Sequence, residues 1–299
     1  MERDEILGEG GVQESFIHSL RELRKGAPEL YGIPTGTKLD EMFYRIEIDE
    51  DGKIRRRALG GIPYLSVMNI VGQPDTGKSL FAHQFSVYQA GRGYPVVFCT
   101  VETPASFLYT QFKQKSLVMG MDFEKVEENT IVVDASTSWS LRNNLRSFLE
   151  TLEYAIEKKD AKIVIVDSIT GLYENREMLA RQIVREVYNT LKKKKVTSIL
   201  ISQKRSGHQA DTPEAAGGLA VAHIVDGTII FSKQLISSSQ MARIYRMPLG
   251  SVLRTLRIDG CRMTAHDSNE YVFEISEAGL IEIKEKLSDF VRKGREEEE

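Results

Sequence analysis

The sequence predicts an α/β protein: a mainly parallel, twisted sheet with helices on both faces and a strand-rich C-terminal end. Three observations lead there. A Gly-x4-Gly-Lys-Ser loop at residues 72–79 sits between an apolar run, 65–71, and a helix-like stretch, 80–89. Aliphatic runs of strand length recur at 96–101, 163–166 and 197–201, separated by helical stretches at 141–157 and 179–195. Such alternation is what parallel strands joined by helical crossovers require. Finally, strand runs follow one another at 227–231, 254–258 and 271–275.

Along the chain, residues 12–25 place Val12, Phe16, Ile17, Leu20 and Leu23 near one helical face, predicting a short amphipathic helix. Residues 43–59 alternate apolar and charged side chains around Asp51-Gly52, a hairpin-turn signal. One arm carries Glu47, Asp49 and Glu50, the other Lys53, Arg55, Arg56 and Arg57. Cross-strand pairing on a solvated hairpin and a protruding arm that meets a partner are both open readings. Residues 284–299 read as a charged helix and tail, and the serine-rich stretch 236–240 as a mobile loop. The expected organisation is an N-terminal helical extension at 1–30, one α/β domain at 31–283 with the hairpin inserted, and the charged tail.

Composition restricts the function classes. The 299 residues are 41% hydrophobic and 28% charged with a net charge of −3, so the chain as a whole has no electrostatic attraction for nucleic acid or anionic membrane. Local basic clusters at 55–57, 192–195 and 241–257 leave local contacts open. Cys99 and Cys261 are too few for a disulfide framework and lack metal-ligand spacing. No apolar run approaches the ~20 residues that span a bilayer, and the acidic start is unlike a signal peptide. A soluble, cytoplasmic protein without membrane partners is expected.

The chemistry concentrates in three places. In the loop Gly72-Gln73-Pro74-Asp75-Thr76-Gly77-Lys78-Ser79, leading into Leu80, backbone N–H groups and a helix N-terminus can cradle a polyphosphate. Lys78 adds a charge for the β and γ phosphates, and the Ser79 hydroxyl suits Mg2+. Asp167 ends the aliphatic run that begins at Lys162, where a strand terminus emerges beside the loop and can support the metal. Glu102 ends the run 96–101, placed to accept a proton from water aligned on the γ phosphate. An N-cap or surface pair near Pro104 is its structural alternative.

This order of phosphate loop, strand-end Glu, Asp-Ser after an aliphatic run, and Ser202-Gln203 after a fourth strand resembles the RecA superfamily of ATPases. More narrowly, Pro34-Thr35-Gly36 with Leu39-Asp40-Glu41, then Gly60-Gly61-Ile62-Pro63, resembles the opening of KaiC-like domains. So do Val225-Asp226-Gly227-Thr228-Ile229 and the two strand runs at 254–258 and 271–275. The resemblance spans about 31–283. It implies a RecA-type core, ATP and Mg2+ as ligands, and homo-oligomers, often hexameric rings, with ATP between subunits.

Carried over, Lys78 and Ser79 would bind phosphate and Mg2+, Asp167 would support the metal, and Glu102 would be the catalytic carboxylate. Gln203 would sense the γ phosphate, since an amide can exchange donor and acceptor partners on hydrolysis. Arg262 would be an arginine finger acting on a neighbour's ATP. Three departures stand out: the usual Lys-x-Arg reads Gly260-Cys261-Arg262, Asp75 occupies a loop position where glycine is frequent, and a single glutamate stands at 102. Slow hydrolysis is expected.

Three uses of ATP remain open. One is a regulatory ATPase read by a protein partner. A second is a DNA-dependent accessory ATPase resembling the RadA paralogues. The loop 204–216 that would contact single-stranded DNA mixes Lys204, Arg205 and His208 with Asp211 and Glu214 and has no aromatic platform. The third is a nucleotide-gated scaffold without turnover, against which Glu102 argues.

Overall fold

The computed structural model describes residues 12–204 and 220–296. The chain divides into two units, Met1–Leu30 and Tyr31–Glu299. In the first, the predicted helix is broken into a 3-10 turn, Glu14–Phe16, and a single α-turn, Leu20–Leu23. Ser19 is the reason. Its Oγ accepts from the Glu22 N–H while the Glu22 carboxylate accepts from the Ser19 N–H at 2.8 Å, a capping box that starts a new helix there. The apolar side chains from Val12 to Leu23 that were read as one face are exposed.

In the second unit, a hairpin pairs β1 (Phe43–Ile48) with β2 (Ile54–Ala58) across the Asp51-Gly52 turn. The strands that follow are β3 (Val67–Gly72), β4 (Val96–Thr100), β5 (Thr130–Asp134), β6 (Ile163–Asp167) and β7 (Thr197–Gln203). Then come β8 (Gly227–Leu235), β9 (Val252–Cys261), β10 (Tyr271–Ile275) and β11 (Ile281–Lys286). Nine of them form one sheet in the order β11-β10-β9-β8-β3-β7-β6-β4-β5. Neighbours from β8 to β5 are parallel, and β9, β10 and β11 continue the sheet antiparallel.

The period of two explains why these runs are apolar throughout. In β6, Ile163 and Ile165 join one core while Val164 and Val166 join the other. The first core takes Phe81 and Phe85 of α1 (Lys78–Gly91), Leu108 and Phe112 of α2 (Ala105–Val118), and Val126 of α3 (Phe123–Glu128). The opposite core takes Phe148 and Leu152 of α4 (Leu145–Lys159), and Ile183, Val187 and Leu191 of α5 (Ala180–Lys193). A sheet covered on both faces brings every parallel strand's carboxyl end to one rim, where ligands collect.

Several sequence expectations are corrected. The helix read at 141–157 is two, Trp139–Asn143 and α4, because the Asn144 side chain accepts from the Ser147 N–H and caps a fresh start. The 236–240 stretch, expected as a loop throughout, runs into a helix: Ser238 caps α6 (Ser239–Tyr245). The terminal helix read from 284 begins later, as α7 (Leu287–Glu296), because Ile281 and Ile283 pack inward as β11. Helices α2 and α3 and edge strand β5 were not read at all. The loop residues Arg205, His208, Asp211 and Glu214 lie outside the described residues. Among the described residues, no helix is long and apolar enough to cross a membrane.

Candidate active site

Strand β3 delivers Gly72 to the rim beside β8, where a Cβ would come within 2.2 Å of the Phe231 carbonyl oxygen. Glycine is therefore the residue that lets the loop leave the sheet. Gly77, at φ 100°, turns the chain into α1, whose free N–H groups then face the loop. The Lys78 Nζ donates to the Gln73 carbonyl at 2.7 Å and to Thr76 Oγ1 at 3.4 Å, curling back across the loop. Burial pulls the Lys78 pKa down to about 8, against the opposing charges of Asp167, Glu102 and Asp75.

Ser79 Oγ donates to Asp167 Oδ1 at 3.2 Å. Burial pushes the Asp167 pKa up to about 6, and the Ser79 bond draws it back down. The other oxygen, Oδ2, lies 3.9 Å from His83 Nε2, one helical turn beyond Ser79. Burial holds the His83 pKa down to about 3, so that imidazole is neutral and the contact is not an ion pair. A hydroxyl and a carboxylate side by side form an all-oxygen donor set that suits a hard cation completed by phosphate and water oxygens.

Register brings Glu102 to the same place. Thr100 of β4 pairs with Asp167 of β6, so Glu102 and Ser168 leave the rim together. Glu102 Oε1 accepts from Ser168 Oγ at 2.5 Å and from Gln203 Nε2 at 2.7 Å, and the Gln203 N–H donates to Thr170 Oγ1 at 2.9 Å. Among the described residues Glu102 Oε2 takes no hydrogen bond. A cleft of about 460 Å³ is lined by Pro74, Asp75, Gly77, Lys78, Ser79, Leu80, Glu102, Asp167 and Gln203. The structure thus gathers three strand ends and one loop around a polyphosphate-sized space. The buried Lys78 ammonium, the Glu102 and Asp167 carboxylates and the Gln203 amide in that arrangement can bind a phosphate chain and activate water.

Arg262 is not brought there. Gly227 pairs with Met68 and with Cys261, so Arg262 lies past the amino end of β3, roughly 17 Å of strand from Gly72. It is held by its backbone N–H on the Asp226 carbonyl at 2.7 Å and by Nη2 on the His223 carbonyl at 2.5 Å. Sequence reasoning missed Ser168, Thr170 and His83. Ser168 and Thr170 follow Asp167 directly, and His83 is four residues after Ser79 on the same helical face, which is the signal available for each.

The sequence profile of the family described as ATPase: KaiC matches residues 33–288. The chain belongs to the KaiC ATPase family. Among relatives of this KaiC-family chain, the UPF0273 protein of Pyrococcus furiosus is 30% identical over 250 residues, covering 79% of this chain and 92% of that one. The circadian clock oscillator protein KaiC of Acaryochloris marina is 26% identical over 234 residues, covering 74% of this chain but 40% of that protein. In the KaiC-like protein of Pyrococcus horikoshii the fold recurs with a TM-score of 0.62 at 23% identity, covering 86% of this chain and all of that one. The RecA-type α/β fold expected from the motifs is the fold observed.

Proposed function

We propose that this KaiC-family chain is a Mg2+-dependent ATP-hydrolysing regulatory ATPase that assembles with ATP at subunit interfaces. The observation that carries the reading is Glu102: a carboxylate at the mouth of the phosphate-loop cleft, fixed through one oxygen by Ser168 and Gln203 and free at the other. The loop amides and Lys78 bind the phosphates, and Ser79 with Asp167 would hold Mg2+. When bound, Mg2+ neutralises phosphate charge. Glu102 Oε2 orients the attacking water and takes its proton.

Gln203 links that base to the segment following β7. Its amide donates to Glu102 in this structure and can turn to a γ phosphate, so phosphate loss returns it to Glu102 and moves the strand end. Within one chain Arg262 lies at the far end of the sheet, so a role in transition-state stabilisation requires a neighbouring subunit. The expected product is ADP and phosphate in a homo-oligomer whose state a protein partner reads.

Phosphate release with ATP and Mg2+ tests the reading. Glu102→Gln should retain ATP binding and lose turnover by about 100-fold or more, the usual worth of a positioned base. Turnover unaffected by single-stranded DNA supports the protein-directed switch. Strong DNA stimulation moves the assignment to a DNA-dependent accessory ATPase, and ATP binding without turnover moves it to a nucleotide-gated scaffold.

A further inference from the structure

We propose that Lys233 is a second phosphate-binding cation of the nucleotide cleft, held on Asp75 until a nucleoside triphosphate displaces that carboxylate. The proposal rests on reading the cleft as a nucleotide site. Strand β8 runs beside β3 with Phe231 level with Gly72, so Lys233, two residues on and on the same face, stands just ahead of the phosphate loop. Its Nζ is 3.8 Å from Asp75 Oδ2. Its charge also adds to the burial that lowers the Lys78 pKa, so the two ammonium groups address one region.

The cross-strand neighbour Arg254 points to an anion there. Arg254 pairs directly with Lys233 across β8 and β9, and like charges so placed repel unless something negative lies between or beyond them. Among the described residues the buried Arg254 Nε has no hydrogen-bond partner. Lys233 thus stands between a like-charged cross-strand neighbour with an unsatisfied guanidinium donor and one exposed carboxylate, Asp75. Asp75 is 91% exposed, so its hold on Lys233 is weak and screened by solvent.

Asp75 itself sits at φ 60°, where glycine costs nothing and aspartate and asparagine are tolerated. Its carboxylate faces the ligand's own charge, so the loop carries a built-in repulsion that Lys233 offsets. An incoming triphosphate offers Lys233 a denser anion than Asp75 and leaves Asp75 to solvent. The pair therefore tunes affinity, and more for a triphosphate than for a diphosphate.

Titration calorimetry with Mg2+ and ATP or ADP, at low and high salt, tests this on the full chain, Lys233→Ala and Asp75→Asn. Asparagine keeps the left-handed backbone, so the second variant removes charge alone. Lys233→Ala should weaken ATP about fivefold or more and ADP less, with a shallower salt dependence, while Asp75→Asn should tighten both ligands severalfold. ATP affinity within twofold of the parent in Lys233→Ala overturns the proposal, whatever the turnover. A parent that binds ATP without hydrolysing it, with both variants shifted as stated, overturns the ATPase reading and upholds the proposal. A parent that binds no nucleotide overturns both.

Discussion

Two buried aspartates stand at opposite ends of the same sheet and are treated in opposite ways. Asp226, at the amino end, accepts from the Val67 N–H at 2.8 Å, the Tyr188 hydroxyl at 2.9 Å and the Lys192 Nζ at 2.9 Å. The Asp167 carboxylate, at the carboxyl end and just as buried, receives one hydrogen bond among the described residues, from Ser79. A satisfied buried carboxylate ties elements together; an under-satisfied one keeps lone pairs for something that is not protein. Burial alone does not separate structure from function here, and the count of donors does.

The sharpest way to break that comparison is to make the same change at both ends. At Asp167 the folded pKa, about 6, lies above the ordinary value of 3.8. The folded state therefore binds a proton more tightly than the unfolded chain between about pH 4 and 6, so stability falls as pH rises through that window. Asp167→Asn, an uncharged isostere, should stabilise the nucleotide-free protein at pH 7 by up to about 3 kcal/mol, the equivalent of a two-unit shift. The gain should shrink below pH 6 and vanish near pH 4, with Mg2+-dependent ATP binding lost throughout. Urea unfolding across that range checks it; a destabilised Asp167→Asn would mean the carboxylate is structural.

At Asp226 the sign reverses. Asp226→Asn deprives Lys192 of its charge partner and weakens the acceptor for Val67, costing about 2 kcal/mol, since hydrogen bonds to charged groups carry roughly 1.5–3 kcal/mol. Nucleotide affinity should not change, because no group of the cleft touches this cluster. Equal losses of stability and of ATP binding would show that the two ends are coupled through β3, which both Asp226 and the phosphate loop adjoin.

The sequence made one of these aspartates readable and hid the other. Asp167 ends an aliphatic run downstream of a phosphate loop, and that pattern is local enough to see. Asp226 was visible only as part of a resemblance, because its partners come from Val67, Tyr188 and Lys192, brought together by β3 and α5. The same limit explains the rest. Parallel strands buried on both faces announce themselves as aliphatic runs, so β3, β4, β6 and β7 were legible. Edge strand β5, half covered, and helices α2 and α3, whose charges interrupt their apolar faces, were not. Ser168 and Gln203 converge on Glu102 through sheet register, which no spacing in the chain states.

Arg262 provides the smallest expected effect on stability and the strictest test of assembly. Its side chain is exposed and spends one hydrogen bond on a backbone carbonyl, so Arg262→Ala should alter unfolding free energy by no more than about 0.5 kcal/mol. If it completes a neighbour's site, turnover should fall by about 1,000-fold, the lower range for an arginine finger. Because Glu102 and Arg262 would then serve different subunits of one site, the two defects should complement. Mixing inactive Glu102→Gln with inactive Arg262→Ala should restore turnover, since some sites pair an intact Glu102 with an intact Arg262. A group acting within its own chain would give no such recovery, and the roughly 17 Å of strand between Arg262 and the loop makes recovery the expected outcome.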